Sequence, residues 1–205
     1  MNVRSLLDSK SVRSTIAFQG AWFALILCSE VFAFLSIVIY LLAHYFFISK
    51  DRGLWLISIR VFFVGIMIDS FFVYSHVIAS SPVHVASGNF VDRDLVFIPL
   101  WLAGLWLCFS FALPVAFKFL QRHYGLCVVL GMIGAPLSYY SGAALRDDVV
   151  LMQPTWLALI YIGVAWATLL CLSVFWLRDA EAKKQAASSI GVASSVDHTL
   201  PVSDV

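Results

Sequence analysis

The chain has 205 residues, of which 61% are hydrophobic and only 12% charged, and its mean hydropathy is +0.92. Soluble domains carry about twice that share of charge, so the composition excludes an ordinary soluble domain and points to a protein whose solvent is a lipid bilayer. The net charge of +1 comes with no basic patch of interleaved aromatics, which excludes nucleic acid as a partner.

Residues 1–15 are polar, with Arg4, Lys10 and Arg13 against Asp8. The apolar run behind them is too long for a secretory signal and shows no A-x-A cleavage site, so it reads as a retained anchor. From Ile16 to Ile48 the only formal charge is Glu30. One straight helix over this stretch would span about 50 Å, against a hydrocarbon core of about 30 Å. It is therefore either one tilted, overshooting helix or two helices folding back near Cys28, Ser29 and Glu30. Four further apolar segments cover about 54–79, 96–120, 124–145 and 154–177.

Charge decides between five and six spans. With six, Arg4, Lys10, Arg13, Lys50, Arg52, Lys118, Arg122, Arg178, Lys183 and Lys184 share one side. Only Arg93 and Arg146 lie opposite, with Arg60 inside a span. With five, the same charges split five to seven, which is no bias. Positive charge stays in the cytoplasm, so the sequence predicts an all-α, polytopic transmembrane bundle of about six helices with both termini cytoplasmic. Its parts are a cytoplasmic segment 1–15, a transmembrane helical domain 16–178 and a cytoplasmic tail 179–205. The tail is rich in Ala, Ser and Val without periodicity, which predicts disorder.

Aromatic residues fit this map, with Trp101 and Trp156 near the outer interface and Trp55 and Trp176 near the inner one. Pro99 and Pro154 fall at helix starts, whereas Pro114 lies inside a span and should bend it. The loop around 80–94 is the longest outside segment. No internal repeat is visible, which weakens the case for an inverted-repeat transporter.

The stretch Gly131–Arg146 (GMIGAPLSYYSGAALR) is unlike a lipid-facing helix. Gly134, Ser138 and Gly142 fall at i, i+4 and i+8 and form one groove of small residues, where a neighbouring backbone could approach closely. Pro136 removes a backbone donor and should kink or break the helix. Such a helix either lines a cavity or packs tightly against its neighbours. Tyr139 and Tyr140 follow the proline, and their hydroxyls need partners if buried. Arg146, beside Asp147 and Asp148, reads as a solvated helix end.

Asp69 is the sharpest candidate for chemistry, because a carboxylate inside a span is costly and marks a pathway, a proton relay or a polar partner. Gly65, Asp69 and His76 share one face of a continuous helix. Arg60 lies about 900° before Asp69, hence on the opposite face, and reads as a snorkelling side chain. Glu30 is either the tip of the first hairpin or a buried acid, with the tip favoured. His44, His76, His84 and His123 show no metal-ligand spacing, and Cys28, Cys108, Cys127 and Cys171 stand singly, so no metal or cofactor is expected. The candidate intramembrane polar site is therefore Asp69, His76, Ser138, Tyr139, Tyr140 and Glu30.

Four motifs occur in order: F-Q-x-x-W-F at Phe18–Phe23, Asp69-Ser70 within a span, P-L-W-L-x-x-L-W-x-x-F at Pro99–Phe109, and G-x-P-L-S-Y-Y-x-G at Gly134–Gly142. Over residues 15–177 the chain resembles a family of small bacterial inner-membrane proteins of unknown function. That family's last motif usually reads G-P-L-x-Y-x-x-G, whereas here Ala135 separates Gly134 from Pro136. The resemblance implies a multi-pass protein of the bacterial inner membrane and adds no activity.

Three classes of function are open. A scaffold or accessory subunit needs no catalytic constellation and is favoured by the absence of one, with the bilayer and a homo-oligomer or another membrane subunit as partners. A small proton-coupled transporter would line its path with Asp69. A membrane enzyme acting on a lipid or another apolar substrate would need Asp69, His76, Tyr139, Tyr140 and Glu30 to converge.

Overall fold

The computed structural model describes residues 10–48, 51–80, 98–146 and 149–197. Six helices account for most of them: α1 Lys10–Leu27, α2 Glu30–Ala43, α3 Arg52–Tyr74, α4 Leu100–Ala116, α5 Tyr124–Leu145 and α6 Thr155–Asp197. The expected outside loop around 80–94 falls almost wholly outside the described residues. Three of the helices, over Arg52–Tyr74, Tyr124–Leu145 and Thr155–Ser189, are long and apolar enough to cross a membrane. Two shorter apolar stretches, Val31–Phe46 and Leu100–Ala116, accompany them. The outer surface is itself apolar, with Val31 76%, Met67 70% and Phe71 62% exposed. A surface of that kind is stable only against lipid or another protein. The protein is an all-α membrane bundle.

The run from Ile16 to Ile48 is two helices. They part at Cys28 and Ser29, with Ser29 extended (φ −64°, ψ 163°) and no side-chain cap. The last carbonyls of α1 are met from elsewhere. Arg146, at the end of α5, donates from one guanidinium nitrogen to the Leu25 carbonyl at 3.2 Å. The same group lies 4.9 Å from the centre of the Trp101 ring. A cation at a helix C-terminus is favoured by the aligned peptide dipoles, so Arg146 ties two helices together and is not merely a solvated end. At the opposite end of α1 the Ser11 hydroxyl donates to the Ala116 carbonyl of α4 at 3.3 Å. Helix α1 already begins by Lys10, inside the polar segment 1–15 that was set apart from the helical domain.

Helix α4 is the hub. It is apolar all round and buried along most of its length, which is where such a helix belongs. Pro114 sits in its last turn, and the helix stops at Ala116 instead of bending in mid-span. On one side Ala21, Leu25, Ala33, Ile37 and Phe111 pack α1 and α2 against it. On the other, Ile57, Val61, Leu113, Leu169 and Val174 join it to α3 and α6.

Helix α3 opens on Asp51, whose side chain accepts from the Gly53 amide at 2.9 Å. It closes at Tyr74, two residues before His76, which takes a left-handed φ of 56°. The His76 amide then donates to the Val73 carbonyl and that of Val77 to the Phe72 carbonyl, the paired bonds of a Schellman stop. Glycine usually occupies that position, so the stop is not announced by residue type. It releases Ile78–Ser80 to form strand β1, antiparallel to β2, Val149–Leu151, with Ile78 opposite Leu151. This ribbon, absent from the sequence reading, joins the end of α3 to the start of α6.

Two further expectations are corrected. Helix α5 does break its regularity near Pro136, but as one π turn over Leu130–Gly134 just before the proline. The glycines that bring backbones together are not Gly134 and Gly142. A Cβ on Gly131 would collide with the Ala167 backbone, and one on Gly163 would stand 3.2 Å from the Met132 carbonyl oxygen. A Cβ on Gly134 would meet only the tip of Leu130 at 3.7 Å, and one on Gly142 only Ile26 and Trp101 at 3.8 and 3.9 Å. Among the described residues, no helix backbone comes within reach of a Cβ at Gly134 or Gly142, where a packed groove was expected.

The tail differs as well. Helix α6 continues through Asp197, so residues 179–197 are helical where composition suggested disorder. Ala180, Ala182, Ala186 and Ala187 are strong helix formers, and Lys183 bonds Asp179 one turn back at 2.6 Å. Lys184 reaches Asp51 at 2.9 Å and, with the Gly53 amide, holds that carboxyl below its usual range.

Candidate functional site

Asp69 lies on α3 with no exposed surface. Gly65, one turn earlier on the same face, makes room for the indole of Trp106 from α4; a Cβ on Gly65 would fall within that ring. The gap lets the Trp106 Nε1–H donate to Asp69 Oδ2 at 2.6 Å. From α5 the Tyr139 hydroxyl stands 2.7 Å from both carboxylate oxygens. Trp166 of α6 donates to the same hydroxyl at 3.3 Å, and its ring stacks on Trp106 with centroids 4.4 Å apart. Four helices, α3 to α6, thus meet at one carboxyl group. A buried polar group is tolerated when its hydrogen bonds are made, and bonds to a charged or strongly polar partner are worth about 1.5–3 kcal/mol each.

Of the candidate residues the fold unites Asp69 and Tyr139. Ser138 lies one residue before Tyr139 and accepts from Trp22 Nε1 of α1 at 3.1 Å. Tyr140 points outward, 54% exposed, onto a shallow groove with Met132, Pro136 and Ile160. His76 is exposed at its left-handed turn beyond the end of α3, because the helix stops before the face it shared with Asp69 can continue. Glu30 opens α2 at the tip of the first hairpin. Pro136 is buried against α6.

Beside this knot, and sharing Trp106, Tyr139 and Trp166 as wall, is a cavity of about 370 Å³ between α1, α4, α5 and α6. Gly134 and Ser138 line it, so the small-residue stripe borders open space. Its mouth lies between α1 and α5, where Gln19 is exposed, Leu137 is 59% exposed and Ser141 is half-buried. Among the described residues no Asp, Glu, Lys, Arg or His lines it, and no three potential metal ligands cluster anywhere.

Sequence reasoning missed Trp106 and Trp166. A signal was present: Trp22, Trp106 and Trp166 fall inside their spans, away from the interfaces where tryptophan usually resides, and a buried indole N–H needs an acceptor.

Fold and site together define a helical membrane protein knotted by one buried acid. The chain belongs to the family described as protein of unknown function DUF2878, which matches residues 11–172. No curated protein and no solved structure matches the chain.

Proposed function

We propose that the protein is a multi-pass accessory or scaffold subunit of the bacterial inner membrane, with six spans and both termini cytoplasmic. The observation that carries this reading is the sealed state of Asp69: its carboxyl is fully buried and its oxygens are engaged by Tyr139 and Trp106. A proton carrier or binding anion needs water or substrate at the carboxyl, and here aromatic side chains occupy that position. An enzyme needs polar groups converging on a substrate, whereas His76 and Tyr140 lie apart from Asp69. Six spans are supported by the ten-to-two charge split and by the contacts of α1, whose start bonds the end of α4 and whose end receives Arg146. Partners are the bilayer and a further membrane subunit, either a second copy or another chain.

The experiment is Asp69→Asn, which keeps the shape and hydrogen bonding of the protonated acid but cannot ionise. The variant should fold and should rescue whatever phenotype deletion of the gene produces. A variant that folds like wild type yet fails to rescue would show that ionisation is needed, and the transporter reading would replace this one. Reporter fusions should place Lys184 inside and Ser87 outside; the reverse at either site refutes the topology.

A further inference from the structure

The cavity beside the Asp69 knot is not explained by helix packing. Its volume, about 370 Å³, is in the range of small-molecule sites, about 300–1,000 Å³. Its contents can be argued from its walls. With no ionisable side chain among its described lining residues apart from the Tyr139 phenol, it offers nothing to neutralise a carboxylate, phosphate or ammonium, and a charged group there would lose its hydration uncompensated. Phospholipid and fatty-acid head groups are thereby disfavoured.

The walls are flat. Trp106 and Trp166 stack at 4.4 Å, and Phe109 stands edge-on to them at 6.0 and 4.9 Å. Phe18, Phe117 and Trp22 face them from the other parts of the lining. Aromatic faces and edges receive another ring best, with centroids about 4.5–7 Å apart. Ser138 supplies the polar contact. It uses its acceptor on Trp22, while its own O–H donates to no described acceptor, and the Gln19 carboxamide stands at the mouth.

Access is lateral. The exposed lining residues between α1 and α5 are Gln19 and the apolar Leu137, 59% exposed, on a protein surface that is itself apolar, so a ligand would arrive from lipid. Gln19 and Ser138 lie inside Lys10–Leu27 and Tyr124–Leu145, each on the order of 10 Å or more from the nearer helix end at about 1.5 Å per residue. Only a molecule that partitions into the bilayer interior reaches that depth.

We infer that this cavity binds an uncharged, bilayer-soluble ring compound bearing carbonyl or hydroxyl oxygens, the chemistry of a membrane quinone or its quinol. The ring lies among Trp106, Trp166, Phe109 and Trp22, one oxygen accepts from Ser138, and the apolar tail leaves between α1 and α5. The inference goes beyond the accessory-subunit reading and does not depend on it.

The test uses the full chain purified in detergent, titrated with a benzoquinone carrying a ten-carbon tail. Two signals are read: quenching of tryptophan fluorescence, to which Trp22, Trp106 and Trp166 contribute, and the thermal unfolding midpoint. Saturable quenching with a rise in the midpoint is expected. Ser138→Ala should weaken binding about three- to tenfold, the worth of one hydrogen bond. Gly134→Leu, whose new side chain enters the cavity, should abolish saturation while leaving the folded protein intact. If that variant does not fold, Ser141→Phe at the mouth serves in its place, since the Ser141 hydroxyl bonds only its own helix. Decanoate at equal concentration should not compete. The inference is overturned by non-saturable quenching in the folded wild type, by unchanged affinity in the filled variant, or by decanoate competing as well as the quinone.

Discussion

Asp69 and the Tyr40–His44 pair are both polar, both buried, and both surrounded by aromatic rings, yet they are built on opposite terms. At Asp69 the oxygens are met by Trp106 and Tyr139, and Tyr139 is met in turn by Trp166. Between α1, α2 and α4, Tyr40 is 3% and His44 2% exposed, and neither the Tyr40 hydroxyl nor His44 Nδ1 has a hydrogen-bond partner among the described residues. Ser14 on α1 is in the same position. His44 is held instead by rings, with Phe111 at 5.4 Å and Tyr40 at 6.1 Å. The first region uses polarity to join helices. The second carries polarity on side chains that are there for their bulk.

The largest effect should come from removing the centre of the first region. Asp69→Leu leaves the Tyr139 O–H and the Trp106 N–H buried without an acceptor, at about 1–3 kcal/mol each. A sharp fall in the thermal midpoint of the detergent-solubilised protein is expected, and wild-type stability would erase the distinction between the regions. Gly65→Ala comes next. The added methyl displaces the Trp106 ring, and overpacking of this kind costs about 1–3 kcal/mol, with the Trp106–Asp69 bond lost as well. If Gly65→Ala melts like wild type, the ring is not seated as described.

Tyr40→Phe tests the second region. It deletes a hydroxyl that makes no bond, and removing an unsatisfied buried group is neutral or stabilising. Stability within about 0.5 kcal/mol of wild type, or above it, is expected. A clear loss would show that this hydroxyl has a partner and that the two regions are alike.

The smallest effect belongs to an exposed pair that serves as reference for both. Lys184 lowers the pKa of Asp51, so this carboxylate stabilises the fold above its unfolded pKa of about 3.9 and the contribution disappears as pH falls through the lower folded value. Asp51 is partly and Lys184 largely exposed, 39% and 77% for their side chains, so solvent screening limits the pair to less than about 1 kcal/mol. Asp51→Asn keeps a good N-cap and removes the charge. At neutral pH it should melt slightly below wild type, and the gap should close in acid below the usual carboxylate range; a gap that persists there would point to the cap and not the ion pair.

Asp69 stood out because a lone acid within an apolar run is rare for a plain energetic reason. Its face was readable too, since Gly65 is one helical turn away and helical periodicity is local. His76 was misplaced because the same periodicity was carried past Tyr74, where a left-handed histidine ends the helix without a glycine to announce it. The tryptophans could have been ranked by depth: those near the interfaces need no partner in the protein, while Trp22, Trp106 and Trp166 do. Their acceptors, Ser138, Asp69 and the Tyr139 hydroxyl, lie between 27 and 116 residues away.

By itself the sequence determined that the chain is a membrane protein of about six helices, because apolar content, segment length and helical period are local quantities that each stretch carries alone. The break of the first apolar run near Ser29 was not local in this sense: length alone left one tilted helix open, and the distribution of charge along the whole chain favoured two. Only the tertiary structure decided which glycines are contacts and which border space. Gly131 and Gly134 are equally small, and nothing local separates them; the backbone at Ala167 does, by approaching one and not the other. The partners of Asp69 and the cavity beside them were settled the same way, by the register and rotation at which five helices met, and those depend on the shapes of all their side chains at once.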